Sequence, residues 1–146
     1  MIARISTTLP CTDVELWEKI VQPASLQYIS APLIKFKPAG NTTLPQEWQM
    51  NKPFNLNLYF LNFIPLGRHQ ITLVDIDKSA NRIVSNETGL MTPIWIHSIQ
   101  FEKNDEKTIY YTDAIEIKAG LRTPLIWLFA HWFYRHRQRR WKKLLS

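Results

Sequence analysis

At 146 residues the chain is long enough for one domain with its own core, residues 1–146, and too short to expect two. Its composition, 45% hydrophobic and 21% charged, excludes a disordered chain, and the single cysteine, Cys11, excludes an intrachain disulfide and fits a reducing compartment. The net charge of +6 is local: residues 1–120 balance eleven Lys and Arg against twelve Asp and Glu, whereas residues 121–146 carry seven cations and no acid.

Ile2 to Leu9 alternates and predicts a first strand. Thr12-Asp13-Val14-Glu15 is a capping box, with the Thr12 hydroxyl able to accept from the Glu15 N–H while Glu15 reaches back. It predicts a short helix with Leu16, Trp17, Ile20 and Val21 on one side. Pro23 ends that helix and opens another through Leu26 and Ile29, which Pro32 closes. From Leu33 to Ala119 the hydrophobic pattern has period two, predicting strands over residues 33–37, 54–62, 68–77, 82–90, 94–102 and 108–118. Connections as short as residues 78–81 and 104–106 favour an antiparallel meander, because parallel neighbours need a crossover of about a dozen residues. Thr123 as N-cap and Pro124 as first helical residue then predict a helix to about Leu145, roughly 35 Å long. The order spells an α+β fold: a curved antiparallel sheet of about seven strands around a long C-terminal helix, with two short helices after the first strand.

The N-terminal MIARISTTLP alternates and lacks the apolar run of a signal peptide. The most apolar stretch, residues 124–134, is shorter than the roughly 20 residues of a spanning helix and is interrupted by His131. The expectation is a cytoplasmic protein, in which the glycosylation patterns Asn41-Thr42-Thr43 and Asn86-Glu87-Thr88 would be idle.

On a wheel of 100° per residue, Leu125, Ile126, Leu128, Phe129, Trp132 and Phe133 of the terminal helix share one arc. His136, Arg139, Arg140 and Lys143 continue the same arc. One face is thus apolar in its first half and cationic in its second. The first half is expected under the sheet; the second projects past it or lies against something anionic. Cations at a helix C-terminus also suit its dipole, so a solvated helix end is the plain reading. A contact of Arg135, Arg139, Arg140 and Lys143 with an anionic membrane surface is the alternative, and nucleic acid is a weaker one.

Strands 94–102 and 108–118 form the best hairpin. Trp95, His97, Ile99 and Phe101 share one face of the first; Ile109, Tyr111, Asp113, Ile115 and Ile117 share one face of the second. The symmetric register sets Phe101 opposite Ile109, Ile99 opposite Tyr111, His97 opposite Asp113 and Trp95 opposite Ile115. Two polar residues on an apolar face would then meet and offset each other's desolvation. The pair reads as a register pin in the core, as the polar floor of a ligand site, or as a catalytic acid–base pair. No nucleophile stands beside it in the pattern. The chain lacks G-x-G-x-x-G, P-loop, G-x-S-x-G and H-E-x-x-H motifs, and its scattered His69, His97, His131 and His136 with one cysteine predict no metal site and no cofactor.

This element order resembles the helix-grip fold of the SRPBCC superfamily, which includes START lipid-transfer domains, plant pathogenesis-related allergens and polyketide cyclases. It is most similar to small bacterial SRPBCC proteins described as cell-division-inhibitor-like or ligand-binding, through Trp95-Ile96-His97, Phe101-Glu102, Thr108 with Asp113, and Phe133-Tyr134-Arg135-His136-Arg137. Thr92-Pro93 stands where that group has Gly-Pro, and Glu106-Lys107 replaces its glycine before Thr108. The resemblance implies a hydrophobic cavity between sheet and helix. Carried onto this chain, its walls would be Trp95, His97, Ile99, Tyr111, Asp113 and Ile115, with Leu125, Leu128, Phe129 and Trp132 as the helical lid. Leu58, Phe60, Ile71 and Leu73 are further candidates whose face alternation does not fix. The expected function is binding or carriage of a hydrophobic small molecule, lipid-like or polyketide-like, without required catalysis. The alternatives are a cyclase or dehydratase using His97 and Asp113, and a peripheral membrane adaptor using the basic helix.

Overall fold

A computed structural model describes residues 1–40 and 43–146. Asn41 and Thr42 of the first glycosylation pattern lie outside the described residues. The sheet has seven antiparallel strands in the order β1-β7-β6-β5-β4-β3-β2. In chain order these are β1 (Ile2–Leu9), β2 (Ile34–Pro38), β3 (Phe54–Phe60), β4 (Ile64–Asp77), β5 (Arg82–Gly89), β6 (Ile94–Lys103) and β7 (Ile109–Lys118). Helices α1 (Asp13–Ile20) and α2 (Pro23–Ser30) follow β1, and α3 (Thr123–Leu145) closes the chain. This is the α+β helix-grip arrangement expected from the pattern. Among the described residues no helix is long and apolar enough to cross a membrane.

Local chemistry accounts for the element boundaries. The Thr12–Glu15 capping box forms in both directions, at 3.2 Å from the Glu15 N–H to Thr12 Oγ1 and 3.2 Å from the Thr12 N–H to Glu15 Oε1. Leu16, Trp17 and Ile20 are its buried face. Thr123 is not the N-cap of α3 but its first residue. A short 3-10 turn, Gly120–Arg122, precedes it, and the Thr123 hydroxyl accepts from the Ala119 N–H and donates to the Gly120 carbonyl. Strand β4 starts four residues earlier than alternation suggests. Pro65 and Gly67 (φ +92°) read as a turn, yet this stretch pairs with β3 alone, so a missing N–H and a bulge between Leu58 and Tyr59 are tolerated there.

The β6–β7 register differs from the symmetric expectation by two residues: Phe101 faces Tyr111, Ile99 faces Asp113, His97 faces Ile115 and Trp95 faces Ile117. The cause is the turn. Asp105 Oδ1 accepts from the N–H groups of Lys107 and Thr108, both at 2.9 Å, and Lys103 closes the ladder on Ile109. Moving the turn by one residue moves the pairing by two, which keeps every side chain on its expected face.

The two halves of α3 also reverse the expectation. The first half is covered only on the side of Ala130 and Phe133, which are buried: Leu125 is 71% exposed, Leu128 60% and Trp132 48%. The second half is buried through Tyr134, Arg137, Gln138 and Trp141. It lies over β1 and β7, where Gln138 Nε2 donates to the Ile5 carbonyl (2.8 Å) and to Asp113 Oδ2 (3.0 Å). Its cations do meet something negative, the C-terminal turn of α2. His136 Nε2 donates to the Ala31 carbonyl (2.7 Å), and Arg140 Nε to the Tyr28 carbonyl (3.1 Å) with its guanidinium 4.1 Å above the Tyr28 ring. Unsatisfied carbonyls at a helix end carry partial negative charge, so these contacts fasten α3 to α2.

Candidate functional site

Because α3 is drawn toward β1 and β7, the concave face of β2–β6 is left uncovered beneath its first half. There the structure has a cavity of about 660 Å³. Ile34 and Phe36 of β2, Leu58 and Phe60 of β3, Ile71 and Leu73 of β4, Ile83 of β5, and Trp95 and Ile99 of β6 form the sheet wall. Ile20, Leu26 and Ile29 close one side, and Ile126, Phe129 and Phe133 the other. Leu125, Leu128, Leu90 and Met91 also line it while being largely exposed, and so mark its mouth. Leu61 and Phe63 in the β3–β4 turn and Leu121 in the turn before α3 are exposed as well.

The expected site divides. Trp95, His97, Ile99, Leu125, Leu128 and Phe129 line the cavity, as do Leu58, Phe60, Ile71 and Leu73. Tyr111, Asp113 and Ile115 do not: they are fully buried on β7, where α3 covers them. Trp132 is not part of the cavity lining and packs on Phe129, with ring centroids 5.9 Å apart. Of the four cations assigned to an anionic surface, Arg140 is bound to Tyr28 and Arg135 donates to the His131 carbonyl of its own helix (3.3 Å); Arg139 and Lys143 are exposed.

Polar side chains from four strands, β4 to β7, step diagonally across the inner face. His69 on β4 contacts Glu87 Oε1 through Nε2 at 2.8 Å. Ser85 donates to Glu87 Oε2 at 2.8 Å, and His97 Nδ1 lies 4.0 Å from that same oxygen. His97 Nε2 in turn meets Asp113 Oδ1 at 2.7 Å. His97 and Asp113 are thus joined even though they are diagonal rather than opposed, a span that a histidine ring bridges. Tyr111 donates to Asp113 Oδ1 (3.1 Å) and Gln138 to Oδ2. Through Nε2 the His97 ring is held by Asp113, and its other nitrogen, Nδ1, is left facing Glu87 Oε2.

Burial opposes the charge of Glu87, but the hydrogen bond and charge of His69, with help from His97 and Ser85, hold its carboxyl below the ordinary value. Burial pushes the phenols of Tyr111 and Tyr134 well above theirs, so both stay protonated donors. Gly89 makes the arrangement possible: a Cβ there would stand 2.6 Å from His69 Nδ1. Of this chain only His97 and Asp113 were legible as a pair. Ser85 and Glu87 follow Ile83 along an unbroken β5 and oppose His97 and Trp95, so alternation alone puts them on the inner face, although nothing in the pattern singled them out. His69 escaped because a bulge at Val74 shifts the phase of β4: Asp75 pairs with Val84 but Leu73 with Ser85. Unbroken pairing would set Glu87 on the face opposite Ile71; the bulge brings the two together. Arg137, also missed, looked like one more cation in a basic run. Among the described residues no group of three His, Cys, Asp or Glu side chains is arranged to hold a metal ion.

The fold has close relatives in shape and remote ones in sequence. A protein from Chromobacterium violaceum superposes with a TM-score of 0.77 at 9% identity, covering 99% of this chain and 96% of that one. A START superfamily protein from Mycobacterium smegmatis superposes at 0.72 with 9% identity, over 99% and 96%. Norcoclaurine synthase from Thalictrum flavum, solved in complex with dopamine and hydroxybenzaldehyde, superposes at 0.70 with 10% identity, over 99% and 85%. Identities this low establish a common fold alone, the START-like helix-grip. Comparison with curated proteins finds no match. A family model described as "Domain of unknown function (DUF8410)" matches residues 7–145, nearly the whole chain. A START-like domain with an open apolar cavity and a polar floor, this chain belongs to the DUF8410 family.

Proposed function

We propose that the chain binds and carries a hydrophobic small molecule in the cavity between the sheet and the first half of α3. The observation that carries this reading is a cavity of about 660 Å³ whose walls are aliphatic and aromatic and whose polar groups converge at one end. That volume is within the roughly 300–1,000 Å³ of small-molecule sites, which share this division of wall and anchor. The fold is also one in which the Thalictrum enzyme holds two aromatic compounds. Native mass spectrometry of the freshly purified protein, with displacement of a neutral environment-sensitive fluorophore, tests it. A bound mass or a displaceable fluorophore is expected, and Leu58→Trp, which fills the cavity, should abolish either while the circular dichroism spectrum stays native. A clean apo mass with no fluorophore binding would sink the reading.

The exposed Leu90, Met91, Leu125 and Leu128 at the mouth suit contact with the headgroup layer from which such a ligand would be loaded. Binding to vesicles of mixed phosphatidylcholine and phosphatidylserine should fall when Leu90 and Leu125 become aspartate. Binding that instead depends on Arg139 and Lys143 alone would return the contact to the basic helix end.

One observation favours a second reading, an enzyme of cyclase or dehydratase type. His97 is held by Asp113 through one nitrogen and presents the other toward the cavity, the layout of an oriented general base. A folded Asp113→Asn variant should lose turnover of a polyketone substrate if this holds. Unchanged turnover in that variant removes the role.

A further inference from the structure

The cavity floor leaves one charge unmatched. Glu87 has a donor for each oxygen, His69 and Ser85; Asp113 has His97 and Tyr111 on one oxygen and Gln138 on the other. Arg137 has no such complement. It is 7% exposed and lines the cavity, and its Nε lacks a hydrogen-bond partner. Among the described residues no carboxylate lies within 4.0 Å of its guanidinium, which packs instead on the rings of Tyr134 (4.7 Å) and Phe133 (5.8 Å).

Ring faces offset part of the desolvation of a cation but accept no hydrogen bonds along its planar fork. Burial works against the charge, yet the surrounding Tyr134, Asp113, Tyr111 and Glu87 keep Arg137 protonated, its pKa raised. A buried guanidinium without an acceptor is costly, and the group that answers its geometry is a carboxylate, oxygen for nitrogen. Neither local carboxylate is free to do so. Arg68, the other arginine on the lining, is exposed and so keeps water as a partner; beside Glu87 and Asp113, Arg137 suits a monoanion better than a phosphate dianion, which the two carboxylates would repel more strongly.

We propose that the ligand of this cavity is a hydrophobic carboxylic acid, its tail against the apolar walls and its carboxylate paired with Arg137. The inference rests on the reading of the cavity as a binding site and adds the ligand's class and the residue that selects it. Nothing in the wall discriminates among tails; Arg137 discriminates among head groups.

Dodecanoate and dodecanol, equal in chain length and different in head group, test this by calorimetric titration into the full chain near neutral pH. Wild type should bind dodecanoate roughly tenfold or more tightly than dodecanol, a preference of about 1.4 kcal/mol. In Arg137→Met that preference should collapse, with Arg137→Lys restoring part of it. Equal binding of the two compounds by wild type overturns the proposal, and so does a preference that survives in Arg137→Met. Should the methionine variant fail to fold, the wild-type comparison decides alone. If neither compound nor the neutral fluorophore binds, the cavity reading itself falls and takes this inference with it. If dodecanol and the fluorophore bind but dodecanoate has no advantage, only the role of Arg137 falls.

Discussion

The two halves of α3 have exchanged the roles their side chains advertise. The apolar half, Leu125 to Phe133, hangs over an opening, whereas the half rich in arginine is the one packed into the protein. Hydrophobicity alone would place them the other way round. What decides is the availability of partners: Gln138, His136 and Arg140 each find a carbonyl or carboxylate on β1, β7 or α2, and Trp141 fills the space between. The anchored half holds the helix; the free half shapes the mouth of the cavity.

The contrast predicts opposite sensitivities in the two halves. Asp113→Ala should cost the most, about 3–5 kcal/mol in urea unfolding, because it strands His97 and Tyr111 as buried groups without their acceptor and takes one of two acceptors from Gln138. A loss below about 1 kcal/mol would show that the anchor of the second half lies elsewhere. Phe133→Ala, at the junction of the halves and 5% exposed, should cost about 3 kcal/mol, the lower end for a buried phenylalanine, since the cavity beside it lets neighbours relax.

The acid limb of the stability curve isolates the cavity floor. Glu87 has a folded pKa below its ordinary 4.5, so its contribution is complete above that pH and is lost as the pH falls through the lower folded value. Glu87→Gln should therefore flatten the decline in stability below about pH 4.5, and an unchanged decline would place the titrating partner of His69 elsewhere. The smallest effect belongs to the free half. Leu125→Ser with Leu128→Ser should shift stability by no more than about 0.5 kcal/mol while weakening ligand or fluorophore uptake. If unfolding shows a large loss, the first half is structural after all.

The sequence made the architecture legible where one periodicity ran unbroken. The capping box at Thr12, the alternation of β6 and β7 and the proline start of α3 each act within a few residues, and each yielded its element. The face of the His97–Asp113 pair was readable for the same reason, and the two-residue change of register left it intact. One member of the polar chain was hidden by a break in its own strand. Glu87 follows Ile83 and Ser85 along β5, but whether His69 stands beside it depends on the bulge at Val74, which the alternation of β4 does not encode. Arg137 was hidden by its company. In a run of Arg, His and Lys, only the packing of α3 on β1 and β7 separates the one buried cation from those in solvent.

That bulge at Val74 gives the inner wall a reading frame. Along β4, His69, Ile71 and Leu73 stand on the cavity side at odd positions, while beyond Val74 the even-numbered Ile76 is set beside Ile83. Removing Val74 would leave the chain one residue shorter and its composition nearly unchanged. Yet it would put every upstream side chain of the strand out of phase with its neighbour, turning His69 outward and Gln70 and Thr72 inward. In a strand whose polar anchor is spelled at alternate letters, a single deletion is a frameshift written in space.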